Sequence, residues 1–528
     1  MAEGRVGFRS WRPPPVRLDQ LTGHGDPERP ALTFRSRTLT YADLADRVTR
    51  AANGLRGLGV RRGDRVAVYS EKRIEAVVAF LAVSAAGAVL VPVNPVFRTR
   101  HLAHILSDSG ARTLITTAER LDTVRAAVGS SPVDHVVLVN GPDARPPDGG
   151  GPVTVPWSVL AEAEPAPVPD PGLTDADIAA ILYTSGSTGP PKGVVLSHRN
   201  MIAGAESVAG YLGHTEQDVI LAVLPLSFDA GFSQLTTGLI AGAHVVLADF
   251  LLPGEIVRLC AAHRVTALTC VPPLWIRLAG QTWPAEATAH LRYFANTGGR
   301  MPRTTLAALR AAFPKAKPYL MYGLTEAFRS TYLDPEQVDD RPDSIGRAVP
   351  NAEVLVVRPD GSPCAPGEHG ELVHRGPLVA LGYWNAPELT ARRFRPSPGG
   401  AGGVDADRSV WSGDVVYGDD EGYLYFVGRD DDMIKTSGYR VSPTEIEEAV
   451  YATGLTEEAV ALGVDDERLG QCVVLAVSGP CDVDSLHRAL ARELPRYMVP
   501  ARTVVLTGLP RSPNGKFDRV SIREQVSQ

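Results

Sequence analysis

Cysteine is scarce in this chain, five in 528 residues, at positions 260, 270, 364, 472 and 481, with no Cys-x-x-Cys pair among them. That excludes a zinc framework and a disulfide scaffold, and it suits a reducing compartment. An excess of positive charge is also missing. Lys and Arg number 53 against 60 Asp and Glu, a net charge of −7, which argues against a nucleic-acid partner held through its phosphates. The first residues, Met1-Ala2-Glu3-Gly4-Arg5, lack a basic segment followed by an apolar one, so no signal peptide is expected. Nor is there a long apolar run. The nearest, residues 76–93, is barely long enough to span a bilayer, and Gly87 and Pro92 interrupt it. It reads instead as a buried helix running into a buried strand. No repeat of fixed period appears. These absences point to a cytoplasmic protein with no membrane span.

What remains is the composition of an ordinary globular protein, 44% apolar and 21% charged. The length calls for two or more domains. From residue 31 short apolar runs alternate with helix-period segments, at 39–58, 65–69, 74–86 and 89–93. Such alternation predicts an α/β chain with parallel sheets covered by helices. Residues 1–30, rich in Pro, Arg and Gly, read as an extended lead-in. Residues 141–156, 165–171 and 396–407 read as surface excursions. His104 and Asp108 imitate an acyltransferase His-x-x-x-Asp pair, but they fall on a helix-like segment far from other chemistry, and a structural role is the better reading.

The chemistry starts at residues 183–193, Tyr-Thr-Ser-Gly-Ser-Thr-Gly-Pro-Pro-Lys-Gly. Apolar strand-like runs flank the stretch on both sides, so it is a loop between strands. Glycines let backbone N–H groups turn toward a ligand, and successive N–H groups form an anion nest. Thr184, Ser185, Ser187 and Thr188 add hydroxyls, Gly186 and Gly189 give freedom, and Lys192 adds a compact charge. The reading is a polyphosphate grip. It is not the P-loop of NTPases, because Pro190-Pro191 precedes the lysine and a strand follows it. A Ser/Gly-rich linker is the plain alternative, but a linker has no reason to sit between two apolar strands.

The loop resembles the phosphate signature of the AMP-forming acyl-CoA synthetase, adenylation-domain and luciferase superfamily, and further segments match in the same order along almost the whole chain. Residues 86–95, Ala-Gly-Ala-Val-Leu-Val-Pro-Val-Asn-Pro, resemble a second signature that by itself carries no chemistry. The resemblance implies a fold of helix-covered sheets with a β-barrel-like subdomain, about 1–430, and a small mobile α+β domain, about 431–528. It implies ATP and Mg²⁺ as cofactors and an acyl-adenylate as intermediate. Tyr322, in Tyr322-Gly323-Leu324-Thr325-Glu326, would stack on adenine, Thr325 would meet the phosphates, and Glu326 with Thr184 would hold Mg²⁺. Gly298 and Gly299 would line the adenine and acyl site. Asp414 and Arg429 would bind the ribose, and Arg440 belongs to the nucleotide set. Asp431 would be the hinge. Gly438 would line the thiol entry, and Lys435 would serve the second half-reaction. A helix should start at Ser442-Pro443-Thr444-Glu445. Lys516 would reach across the cleft to the carboxylate and the α-phosphate. Attack of one anion on another requires such a cation. An ammonium about 4 Å away is worth roughly 4 kcal/mol per unit charge at an effective dielectric of about 20.

The acid is less legible. Phe228-Asp229 resembles the pair with which amino-acid-activating members grip an ammonium, and equally a pattern of small acyl-CoA ligases. Phe328 and Arg329 would complete the pocket. Arg300 departs from the family's small residues and either binds a substrate anion or faces solvent. His198 reads as a structural residue at a helix start. The expected acceptor is coenzyme A or a free-standing carrier protein, since no carrier segment follows Lys516. One alternative is a diazotase-type relative that adenylates nitrite for attack by an aryl amine. Another is an inactive relative that only binds adenylates or a partner.

Overall fold

The computed structural model describes residues 14–129, 131–141, 151–184, 191–399, 408–429, 432–436, 439–466, 469–494 and 496–527. Its apolar runs become strands of three sheets. In the first, six parallel strands lie side by side in the order Ile178–Thr184, Val89–Val93, Arg65–Tyr69, Thr113–Thr117, His135–Val139 and Val153–Pro156. Lys192–Ser197 pairs antiparallel with Ile178–Thr184, and Gly382–Tyr383 pairs with it in turn. The phosphate-grip stretch therefore connects two antiparallel strands beside a parallel sheet, with Thr184 and Lys192 their last paired residues.

The second sheet has a parallel centre, Pro30–Phe34, His244–Leu247, Val219–Ala222, Ala267–Cys270, Tyr293–Asn296 and Lys317–Tyr322. Through Thr331–Leu333 it continues into an antiparallel ladder of Ser344–Ala348, Leu424–Arg429, Arg408–Gly418, Gly370–Arg375 and Glu353–Val357. That ladder takes the position of the expected barrel-like part.

Between the two sheets lies the helix Ile74–Ala85, apolar except at Glu75 and Ser84 and buried accordingly. Phe80 meets Phe232 of the helix Asp229–Ile240 edge-on at 5.5 Å, and a single apolar core joins helices from both sheets. Residues 18–23 are not an extended lead-in. They form a 3₁₀ turn that buries Leu18 and Leu21 in that core, because an i, i+3 pair faces one way in such a turn.

The strand Leu424–Arg429 belongs to the large ladder, and the next strand, Ile434–Thr436, belongs to a third sheet. That sheet holds Tyr439–Val441, Ile434–Thr436, Gly470–Ser478 and Glu458–Asp466 in antiparallel order, with Arg502–Leu506 parallel to Gly470–Ser478. It buries cores of its own against the helices Pro443–Thr453, Val483–Glu493 and Arg519–Ser527. Proline stands in the first turn of Pro443–Thr453, as its sequence predicts. Among the described residues, no helix is long and apolar enough to cross a membrane.

Gly231 shows how tightly the first turn of Asp229–Ile240 is seated. A Cβ there would stand 1.9 Å from the carbonyl oxygen of Pro225. Gly231→Ala should lower unfolding stability by about 1–3 kcal/mol or more through backbone displacement. Gly210→Ala, in the helix His198–Tyr211 with open space around it, should be neutral or stabilising by up to about 1 kcal/mol. Urea denaturation of both variants checks this; equal effects would contradict the packing described.

Candidate active site

The site is assembled where the hairpin edge, the C-terminal ends of the second sheet's parallel strands and one turn of the small unit meet. Thr184 and Lys192 face each other across the hairpin as its last paired residues. Ser185, Gly186, Ser187, Thr188 and Gly189 lie outside the described residues, as do Asp431 and Gly438. The hairpin base is braced from the neighbouring helix Thr99–Ser109. Asp108 accepts the Tyr183 hydroxyl at 2.6 Å, and His104 Nε2 is 3.0 Å from the carbonyl oxygen of Pro191. The His104/Asp108 pair is thus structural. His198 is structural too: it is buried, its Nδ1 lies 3.4 Å from Leu18 N, and burial pushes its pKa down to about 4.

Lys516 comes from the small unit on a tight turn, in which Ser512 N donates to Lys516 O at 2.7 Å and Gly515 N to Ser512 O at 2.9 Å. Its ammonium stands 5.3 Å from the centre of the Phe228 ring. It also crosses Gly298, where a Cβ would come within 2.8 Å of Lys516 Cε. Gly298 has φ +79°, so glycine is required there for both conformation and space. Desolvation lowers the pKa of Lys516, with Asp229 the main charge opposing it.

Asp229, at the start of its helix, is buried, with Oδ2 4.0 Å from Arg329 Nη1, itself buried. Desolvation raises the Asp229 carboxyl, and Arg329 and Lys516 pull it back. The charge that an amino-acid ammonium would need is therefore already shared by two cations. Among the described residues, Asp229 Oδ1, Arg329 Nε, Ser227 Oγ and Asn296 Oδ1 are buried polar atoms without a hydrogen-bond partner, as in a pocket built for a polar ligand. Arg329 turns inward because Phe328 adopts φ +57°, an uncommon conformation for an aromatic residue. The Phe328 ring is buried against Gly204 of the helix His198–Tyr211, so it backs the pocket. Arg300 does not enter the pocket as a substrate-binding fork. Its Nη2 donates to Asp343 at 2.5 Å and its Nε lies 4.0 Å from Glu448 of the small unit, so a local carboxylate has claimed it.

Asp414 and Arg429 are opposite each other across paired strands. Arg429 Nε is 3.2 Å from Asp414 Oδ1, and Tyr322 donates its hydroxyl to Asp414 Oδ2 at 2.5 Å. Burial raises both the Asp414 and the Tyr322 pKa. The three residues expected to hold base and ribose are therefore in contact, Tyr322 through a hydrogen bond and Arg429 through an ion pair to the same carboxylate. Glu326 sits in the 3₁₀ turn Thr325–Ala327, with Thr325 buried beside it, and its Oε1 accepts the Tyr383 hydroxyl at 2.6 Å. No cluster of three or more His, Cys, Asp or Glu side chains suited to a metal exists among the described residues. A lone carboxylate with a hydroxyl still fits Mg²⁺, which takes one or two protein oxygens and completes its shell with phosphates and water. Gly299 lies against Pro272, and its carbonyl accepts from Asn296 Nδ2 at 2.8 Å. Gly323 closely approaches the Arg329 backbone. Lys435 and Arg440 lie on strands of the third sheet, and their side chains are outside the described residues.

Two residues carry more of this site than their sequence context reveals. Tyr383, on the two-residue strand at the hairpin edge, holds Glu326. Lys72 donates to Val223 O at 2.6 Å and lies 3.4 Å from Ala222 O and Leu224 O, pinning the first sheet to the start of the Leu224–Asp229 segment. Desolvation pulls its pKa down to about 8. Neither residue lies in a local motif, and only the meeting of the sheets makes them visible.

Comparison with known proteins places the chain in a family. The AMP-binding enzyme family matches residues 20–384, and the AMP-binding enzyme C-terminal domain matches residues 445–516. Linear gramicidin synthase subunits C and D of Brevibacillus parabrevis are 33% and 32% identical over 93% of this chain, which spans only 6% and 9% of their lengths. Feruloyl-CoA synthase of Amycolatopsis sp is 32% identical over 98% of this chain and 99% of its own. The crystal structure of ATP-bound MatB from Rhodopseudomonas palustris superposes with a TM-score of 0.84 at 28% identity, covering 97% of this chain and 99% of that one.

Arg329→Met should destabilise the protein by roughly 3–5 kcal/mol, because it strands the buried Asp229. Asp229→Asn in that background should recover part of the loss. A double-mutant cycle by urea denaturation measures the coupling, and simple additivity would dissolve the pair.

Proposed function

From the premise that this chain belongs to the AMP-binding enzyme family, we propose that it is an AMP-forming acid–thiol ligase. It activates a carboxylic acid with ATP as an acyl-adenylate, then passes the acyl group to a thiol. One observation carries the reading: Lys516 of the small unit stands against Gly298 and the Phe228 ring, with the Asp229–Arg329 pair within electrostatic reach.

In the first half-reaction a carboxylate oxygen bonds to the α-phosphorus, the bond to the bridging oxygen breaks, and pyrophosphate leaves with that electron pair. Lys516 reduces the repulsion between the two anions. Lys192 and the hairpin hydroxyls from Thr184 onward receive the pyrophosphate charge. The Tyr322–Asp414–Arg429 group orients the nucleoside, Gly298 and Gly299 admit it closely, and Thr325 contacts phosphate. Glu326 and Thr184 would hold Mg²⁺, which supplies charge neutralisation on the phosphates. Chemistry of this kind rests on positioning and electrostatics more than on proton transfer. In the second half-reaction a thiol sulfur bonds to the acyl carbon, AMP departs and the thiol proton is released. We assign Lys435 to that step, Arg440 to the nucleotide set and Asp431 to the hinge between the units, a rearrangement of the domain-rotation type.

Coenzyme A is the favoured thiol, since the relative that this chain matches end to end is named for CoA ligation. A carrier protein is the second candidate, as the gramicidin synthase subunits suggest. Relatives named for acid activation favour a carboxylic acid over nitrite as the activated group. The arginine beside Asp229 favours an acid without an ammonium.

Pyrophosphate exchange with a panel of aryl, acyl and amino acids, and with nitrite plus an aminoaryl acid, tests the assignment. The expected result is exchange with an aryl or acyl acid, lost in Lys516→Ala with folding intact; exchange retained in that variant would remove the lysine from the mechanism. Because desolvation depresses the Lys516 pKa below the ordinary 10.5, its charge is lost as pH rises through that lowered value. The alkaline fall of kcat/KM for exchange should therefore begin below 10.5 and move upward in Lys516→Arg. An unmoved limb would assign the titration to another group.

A further inference from the structure

The segment 86–95 has so far done nothing but run into and form the strand Val89–Val93. The residue at its exit does more. Asn94 is only 4% exposed. Its Oδ1 accepts from Val96 N at 3.1 Å, closing a side-chain turn. Its Nδ2 donates to the carbonyl oxygen of Pro513 at 2.9 Å, with Asn514 Oδ1 at 3.4 Å. The orientation of the amide follows from its partners, since one is an N–H and the other a carbonyl. Pro513 and Asn514 stand in the same Ser512–Lys516 turn that presents the lysine.

The platform under Asn94 is braced on both sides. Arg120 Nη1 donates to Pro95 O at 2.5 Å, and its guanidinium lies 4.5 Å from the centre of the Tyr69 ring. The Tyr69 hydroxyl donates to Phe97 O at 2.5 Å, and Phe97 N donates to Asn94 O at 3.0 Å. A carboxamide held this way by the first sheet reaches a turn more than four hundred residues later. Elsewhere on the same seam the small unit is met at the surface, where Arg303 N donates to Glu448 at 3.0 Å. Asn94 is the contact nearest the lysine.

We propose that Asn94 is a positioning residue for adenylate formation: its carboxamide docks the 512–516 turn so that the Lys516 ammonium is held against Gly298 and Phe228. The inference rests on the assignment of Lys516 to that step. One hydrogen bond of this kind is worth about a three- to tenfold change in the docked population.

Asn94→Ser tests it, because serine keeps an oxygen for Val96 N but cannot reach Pro513. In the full-length protein without ligands, deuterium uptake of a peptide covering 510–518 should rise, with the melting transition unchanged. With the best acid of the panel, pyrophosphate exchange should fall about three- to tenfold. Single-turnover thioester formation from enzyme-bound acyl-adenylate and coenzyme A should keep its rate. Asn94→Asp, which also keeps the turn but sets a carboxylate against the Pro513 carbonyl, should act in the same direction. Unchanged deuterium uptake in both variants overturns the docking. Raised uptake with unchanged exchange overturns the proposal together with the Lys516 assignment. Equal loss of both half-reactions would reduce Asn94 to a structural residue.

Discussion

The proposed reaction turns on one electrostatic problem, the approach of a carboxylate to a polyphosphate. Two anions must meet where water no longer screens them, so cations have to be supplied in fixed places at close range. Lys516 is proposed as such a cation, and its surroundings show how the chain keeps it in place. Glycine at 298, in a left-handed conformation, makes room for the lysine stem. Phe228 gives it an aromatic partner, and Asp229 a carboxylate within electrostatic reach. Desolvation weakens the charge that the reaction needs, and the nearby carboxylate restores part of it. A lysine in this balance is a sensitive group, and the turn that carries it is closed by its own backbone bonds and met by Asn94 at Pro513.

The rest of the architecture serves that placement. The hairpin carrying Thr184 and Lys192 projects from the edge of one parallel sheet, while Asp229, Gly298 and Tyr322 come from the ends of strands in another. Lys72, with its ammonium on three successive carbonyls, and the Phe80–Phe232 contact keep the two sheets in register. Small misplacements of positioned groups cost large factors in rate, so the joint between sheets is as much a part of the site as the residues facing it. The small unit adds its lysine across a seam whose polar contacts include Asn94 with Pro513, Arg300 and Arg303 with Glu448, and Ser442 with Val427.

Much of this was legible in the residues themselves. Alternating short apolar runs gave the parallel sheets because strand and helix periods differ, and two apolar strand-like runs around a Ser/Gly/Lys stretch read as a loop between strands, which the antiparallel pairing of Ile178–Thr184 with Lys192–Ser197 bears out. Family resemblance supplied Lys516, Asp414, Arg429 and Tyr322 as a set, and the fold joins the last three through one hydrogen bond and one ion pair to Asp414. What could not be read was how charges pair at long range. Arg300 looked like an anion fork, yet Asp343, far along the chain, takes it. Asp229 looked like an ammonium grip, yet Arg329 lies opposite it once Phe328 turns with positive φ. Leu18 and Leu21, hidden in a Pro/Arg-rich stretch, are core residues only because a 3₁₀ turn aligns them. Tyr383 and Lys72 act through neighbours that are distant in sequence, and no local pattern marks such residues.

The most direct measurement is a crystal structure of the protein soaked with ATP. The account expects the triphosphate along the 184–192 hairpin tip, the base near Tyr322, the ribose at the Asp414–Arg429 pair, and the α-phosphate facing Lys516. A nucleotide bound elsewhere, with the hairpin and Lys516 both out of its reach, would contradict the claim that these cations and donors converge on one polyphosphate.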